Sequence, residues 1–174
     1  MKSLLVFALV AVTARALQSS PQRPDVRFLA TPQNVVEAML TLAHVTPADV
    51  VFDLGSGDGR IPITAARKFG ARGVGVEIDA GLVRQARENA ARAGVSDRVT
   101  FVEGDLFQAD ISSATVVTIF LLPSLNVRLI PKFERELRPG ARIVSHHFGM
   151  GDRWAPDAEQ DVSGLMIYLW NKKS

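Results

Sequence analysis

Residues 53 to 60 read Asp53-Leu-Gly55-Ser-Gly57-Asp-Gly59-Arg60. Glycines at alternate positions let a tight turn carry backbone amides close to a nucleotide-like ligand, beside a helix N-terminus. Dinucleotide enzymes place G-x-G-x-x-G at the same kind of turn, but here the third position of that pattern is Arg60 rather than Gly or Ala. Two carboxylates follow, Glu77 after Gly73-Val-Gly-Val and Asp105 within Glu103-Gly-Asp-Leu106. An ionised carboxylate only accepts hydrogen bonds, so each suits a ligand that presents hydroxyl or amino donors. Taken singly, Asp53 could cap the next helix, Glu77 could be a solvated strand end and Asp105 could cap a turn. Their joint occurrence favours a ligand site over those bland roles. His146 and His147 are further titratable candidates, each either a base or orienting group or a structural residue. Cysteine is absent, which excludes disulfides, thiolate nucleophiles and cysteine zinc sites, and no other cluster has metal-ligand spacing.

These residues need elements to position them, and from about residue 25 helical and strand patterns alternate, as in a mostly parallel sheet. Pro32 opens a helical pattern with Thr31 as its N-cap, and Val35, Val36, Met39, Leu40 and Leu42 form its apolar side. A strand over Asp49–Leu54 precedes the glycine loop, and a helix over Ile61–Phe69 follows it, closed by Gly70. Next come a strand over Gly73–Glu77, a helix over Gly81–Ala93 ended by Gly94, and a strand over Val99–Glu103. A fourth strand is expected over Ala114–Leu122, apolar almost throughout, as a strand buried on both faces should be. A helix over Ser124–Leu137 with a kink at Pro131 leads through Pro139-Gly140 to a fifth strand, Ala141–Ser145. Strand-like segments near 156–162 and 165–170 flank Ser163-Gly164 as a hairpin.

The D-x-G-x-G-x-G loop resembles motif I of the class I S-adenosylmethionine (SAM)-dependent methyltransferases, and the acids follow at the spacings of that family. The resemblance implies an α/β, Rossmann-like fold: a seven-stranded, mostly parallel sheet with one antiparallel strand and helices on both faces. It implies SAM as methyl donor and no metal. Asp53, Gly55, Gly57 and Gly59 would shape the cofactor loop, Glu77 would accept the ribose hydroxyls, and Asp105 with Leu106 would hold the adenine.

A narrower resemblance covers nearly all of residues 28–157, through Thr31-Pro-Gln-Asn-Val-Val, Leu121-Leu-Pro-Ser-Leu-Asn126 and Ser145-His-His-Phe-Gly-Met-Gly151. These are similar to seven-β-strand protein-lysine methyltransferases, the group with the mitochondrial ATP synthase c-subunit lysine methyltransferase and archaeal and bacterial relatives. That likeness implies N-methylation of lysine side chains in protein substrates, with Thr31 near the cofactor and Pro123, Asn126, His146 and His147 as catalytic candidates. Two features depart from related patterns. In that group an acid follows the first His of the last motif, where this chain has His147. The Asn/Asp-Pro-Pro-aromatic motif of many amino-group methyltransferases is replaced by Leu122-Pro123-Ser124.

The chain has 174 residues, 47% hydrophobic and 22% charged, enough for one domain with a substantial core. A net charge of +2, with arginines and acids mixed as in Arg84-Gln-Ala-Arg87-Glu88, disfavours a nucleic-acid partner. Lys2, the apolar run Leu4–Val12 and Ala14-Arg15-Ala16 resemble a secretory signal segment over 1–16, followed by a linker over 17–27 and the methyltransferase domain over 28–174. The apolar run is shorter than the roughly 20 residues that span a bilayer. Export, membrane association through this segment and import into a mitochondrion all remain open, the last because arginines precede the first acid, Asp25. Alternatives to the lysine reading are a methyltransferase for a small molecule, lipid or RNA, and a non-catalytic SAM-binding module.

Overall fold

The structure, a computed structural model, describes residues 29–173; the signal-like segment and the linker expected from the sequence lie outside the described residues. Seven strands form one sheet: β1 (Val50–Leu54), β2 (Arg72–Glu77), β3 (Val99–Glu103), β4 (Val116–Ile119), β5 (Arg142–His146), β6 (Ala158–Val162) and β7 (Leu165–Asn171). Their order is β3-β2-β1-β4-β5-β7-β6. Strands β1 to β5 pair in parallel, and β7 alone runs against its neighbours. After moving outward from β1 to β3 the chain returns to place β4 on the other side of β1. That reversal opens a crevice at the carboxyl ends of the strands, where such sheets bind ligands.

Strand alternation builds a core on each face. Phe52, Leu54, Val117, Ile119 and Ile143 pack with Leu129, Ile130 and Phe133 of α4 (Pro123–Glu136). Val51, Val116 and Val144 point the other way, onto Val35, Val36, Met39 and Leu40 of α1 (Gln33–Leu42) and Ile61 and Ala65 of α2 (Arg60–Phe69). A third cluster joins α2 and α3 (Ala80–Ala93) over Val99 and Phe101. Each fully buried side chain of this size contributes about 1.5–3 kcal/mol, which explains why the central strands are apolar on both faces.

Local signals set most element ends. Gly70 and Gly94 close α2 and α3 in the left-handed conformation, and Asp79 caps α3 by accepting from the amides of Gly81 and Leu82. Ser163 and Gly164 both take positive φ between β6 and β7, the backbone of a tight hairpin turn. Two expectations need correction. The N-cap of α1 is Pro32, and Thr31 makes no capping bond; its hydroxyl turns inward to His146. The fourth strand is confined to Val116–Ile119, because Leu122 is already the extended N-cap of α4 and Pro123 its first residue. Pro131 lies inside α4, which runs on to Glu136 as expected. Among the described residues no helix is long and apolar enough to cross a membrane.

Candidate cofactor and acceptor site

The glycine loop is tied to the neighbouring strand. The amides of Gly55 and Ser56 both donate to the Val76 carbonyl, at 2.9 and 3.0 Å. Gly57 N–H donates to Glu77 Oε2 at 2.9 Å, while Glu77 Oε1 accepts from the amides of Ile78 and Asp79 at 2.8 and 3.0 Å. Glu77 is only 8% exposed, so it anchors the loop as well as facing the crevice. Gly55, Gly57 and Gly59 all have positive φ. Gly59 also has a packing reason to be glycine: a Cβ there would lie 2.5 Å from the Phe101 ring.

Asp53 sits in the centre of the sheet, in register with Gly75 of β2 and Thr118 of β4. It is buried, and the Thr118 hydroxyl donates to its Oδ1 at 2.7 Å. Burial pushes its carboxyl up to about 7, with repulsion from Glu77 and Asp58 adding to the shift and the Thr118 bond opposing it. This is a buried carboxyl short of a cation. Asp58 is not in the same position, because Arg60 already grips both its oxygens, at 2.9 and 2.6 Å, and donates to the Thr31 carbonyl at 2.9 Å.

A cavity of about 440 Å³ runs along the carboxyl ends of the strands, within the usual range for a small-ligand site. At its β2/β3 end lie Glu77, Ile78, Asp79, Leu82, Asp105 and Leu106; Asp53 and Gly55 form its floor. At its β4/β5 end the walls are Phe120, Leu121, Leu122, Leu125 and Phe148, with Leu29 and Thr31 from the segment before α1. Leu29 and Leu122 are 71% and 43% exposed, so this mouth is apolar and open to water.

Of the residues singled out from sequence, Thr31, Asp53, Gly55, Glu77, Asp105 and Leu106 are thus brought to one cavity. Gly57 and Gly59 lie in the loop behind its wall. Asp105 also caps the following turn, accepting from Phe107 N–H at 2.8 Å. None of the four catalytic candidates lines the cavity. Pro123 is exposed at the start of α4 and His147 is exposed at φ 69. His146 is buried behind the wall, its ring 4.0 Å from that of Phe120 and its Nδ1 3.2 Å from the Thr31 hydroxyl. Desolvation, reinforced by His147, lowers its pKa to about 4, so it stays neutral near pH 7. Asn126 is buried in α4 and bonds to the segment after β5. Phe120 and Phe148 are wall residues that the sequence does not single out. The only signal for Phe148 is its place in Ser145-His-His-Phe.

A sheet that reverses between β1 and β4, with the β2 carboxylate holding the glycine loop of β1, is the cofactor half of a class I SAM-dependent methyltransferase, and this chain is such an enzyme. Comparison with known proteins sharpens the class. The family model described as the ANTKMT methyltransferase domain matches residues 53–158, and the chain belongs to that family. It is similar to a protein-lysine N-methyltransferase of Saccharolobus islandicus, 51% identical over 84% of this chain and 94% of that protein. It is also 39% identical to the adenine nucleotide translocase lysine N-methyltransferase of Mus musculus, over 79% of this chain but only 59% of that longer protein. A solved structure of an RNA methyltransferase from Salinibacter ruber, in complex with S-adenosyl-L-homocysteine, superposes with a TM-score of 0.82 at 57% identity, covering 83% of this chain and 94% of that one.

The residues present suit SAM. Its cationic groups would meet the unpaired demand of buried Asp53, its ribose and adenine would offer donors to Glu77 and Asp105, and Ile78, Leu82 and Leu106 would provide apolar cover. Glu77 already accepts three backbone amides, which leaves about one of its four lone-pair sites for a ligand hydroxyl. When bound, SAM supplies a methyl group already activated by its sulfonium.

Proposed function

We propose that this enzyme methylates the ε-amino group of lysine in protein substrates. The observation that carries the reading is the character of the β4/β5 mouth, built from Leu29, Phe120, Leu122, Leu125 and Phe148. Such walls suit the aliphatic stem of a lysine. They also favour its neutral amine, because desolvation and a nearby cation both lower an ammonium pKa from about 10.4. The protein's part is then to orient the stem, exclude water and keep the amine unprotonated.

An RNA substrate fits the same mouth less well. Arg60 is the only cation on the described cavity wall, and its guanidinium is committed to Asp58 and the Thr31 carbonyl. That leaves no free positive group there for a phosphate backbone, the usual source of nucleic-acid affinity. The protein-lysine methyltransferase of Saccharolobus islandicus, alike over most of both chains, supports the same choice.

The test is transfer of a tritiated methyl group from SAM into separated protein, RNA and lipid fractions, followed by mass spectrometry of the labelled material. Methylated lysine in protein is the expected product. Label confined to RNA or lipid would overturn the proposal.

A further inference from the structure

The segment after β5 holds an unusual backbone. Phe148 N–H donates back to the His146 carbonyl at 2.9 Å, a three-residue turn with His147 at φ 69 between them. Turns of this hand are rare, and a non-glycine residue there costs on the order of 1–3 kcal/mol. Such strain persists only where the surroundings over-determine it. Here they do. The Phe148 carbonyl accepts from Ser145 Oγ at 2.6 Å and from Asn126 Nδ2 at 2.9 Å. Asn126 Nδ2 also lies 3.3 Å from the Gly149 carbonyl and 3.3 Å from Ser145 Oγ. His147 N–H donates to the Met166 carbonyl of β7 at 2.7 Å. Asn126 and Ser145 are both fully buried, and neither reaches the cavity.

This clamp acts on the backbone of a cavity-wall residue. Phe148 stands with Phe120, Leu122 and Leu125 at the β4/β5 end, and β1 separates that end from the carboxylates of β2 and β3. The donor's nucleoside belongs with those carboxylates, so the wall containing Phe148 faces the acceptor.

We infer that Asn126 and Ser145 are positioning residues that lock the His147–Phe148 turn, so that Phe148 forms a fixed wall for the aliphatic stem of the substrate lysine. The inference rests on the lysine reading above. It assigns Asn126 an orienting role through Phe148, with no contact to the reacting atoms. A buried asparagine suits this work because its amide presents two donors to neighbouring carbonyls and carries no charge.

The experiment uses the full chain and three alanine variants, Ser145→Ala, Asn126→Ala and Phe148→Ala, with Phe148→Leu as a rescue. It measures the S-adenosylhomocysteine dissociation constant by calorimetry, the thermal midpoint, and kcat and KM on the protein fraction labelled by wild type. The acceptor KM should rise roughly three- to tenfold in Ser145→Ala, the loss of one such bond, and at least as much in the other two. S-adenosylhomocysteine affinity should stay within about twofold in all three. Phe148→Leu, which keeps an apolar wall, should recover part of the loss. If Asn126→Ala does not fold, Ser145→Ala and Phe148→Ala still decide, because the first removes a single hydroxyl and the second leaves the clamped carbonyl in place. Unchanged acceptor KM in folded variants overturns the inference, and so does an equal loss of S-adenosylhomocysteine affinity, the mark of a purely structural role. Failure of the lysine reading itself is seen separately, as wild type that labels no protein.

Discussion

Asp53 should make cofactor affinity depend on pH, because it is a buried carboxyl facing the cavity where a cationic ligand would sit. Its carboxyl titrates at about 7 in the folded protein, against 3.8 for the ordinary group, chiefly because it is buried. Near pH 6 it is mostly protonated and near pH 8 mostly ionised. A cationic ligand binds the ionised form better, so ionisation must accompany binding at the lower pH. For a group titrating at 7, the ionised fraction grows roughly tenfold between pH 6 and pH 8, equivalent to about 1.4 kcal/mol. The ligand's own amino group also titrates nearby, with a reference value of about 7.7–8.0. The comparison that isolates Asp53 is therefore the ratio of SAM dissociation constants for Asp53→Asn and wild type, measured by calorimetry at each pH. That ratio should grow about tenfold from pH 6 to pH 8. The stability of the unliganded protein has the opposite sign. A raised acid is favourable while protonated, so its contribution is full below pH 3.8, fades as pH rises to about 7, and is absent above. Unliganded Asp53→Asn should then gain on wild type as pH rises from 4 to 8, by at most on the order of 4 kcal/mol. A dissociation-constant ratio that does not change with pH would refute the reasoning.

Two further outcomes follow from the loop. Glu77→Ala leaves the amides of Gly57, Ile78 and Asp79 without their acceptor, each costing about 1–3 kcal/mol if it stays dry. The thermal midpoint of the unliganded protein should fall together with S-adenosylhomocysteine affinity, and an unmoved midpoint would show that the carboxylate does not hold the loop. Gly59→Ala drives a methyl group against the Phe101 ring at a φ of 80° and should destabilise by about 1–3 kcal/mol, with Phe101→Leu recovering part of it. A Gly59→Ala protein as stable as wild type in denaturant melts would remove the packing explanation.

Much of the fold was legible because its signals are local. Glycine caps and the apolar runs of β1 and β4 each act within a few residues, and the alternation of periods indicates a parallel sheet. The errors arose where two local signals compete. The run Ala114–Leu122 is apolar almost throughout, yet its last residues leave the sheet, because Pro123 starts a helix and the chain must turn out at the crevice. Thr31 looks like a cap, but burial gives its hydroxyl a better partner in His146, 115 residues away.

The sequence by itself determined the class of chemistry: alternate glycines after a strand, with acids after the next two strands, are a short-range arrangement that each βα turn presents at the same edge of the sheet. Tertiary structure decided which groups share the work at that edge. Glu77 proves to be a loop anchor only because Gly57, 20 residues earlier, folds back onto it. Gly59 owes its identity partly to Phe101 on another strand. Phe148 lines the cavity while Asn126, 22 residues earlier and on a different element, holds its carbonyl. Such contacts depend on how whole strands and helices stack. No spacing within a single element carries that information, since it is set by packing between surfaces distant in the chain.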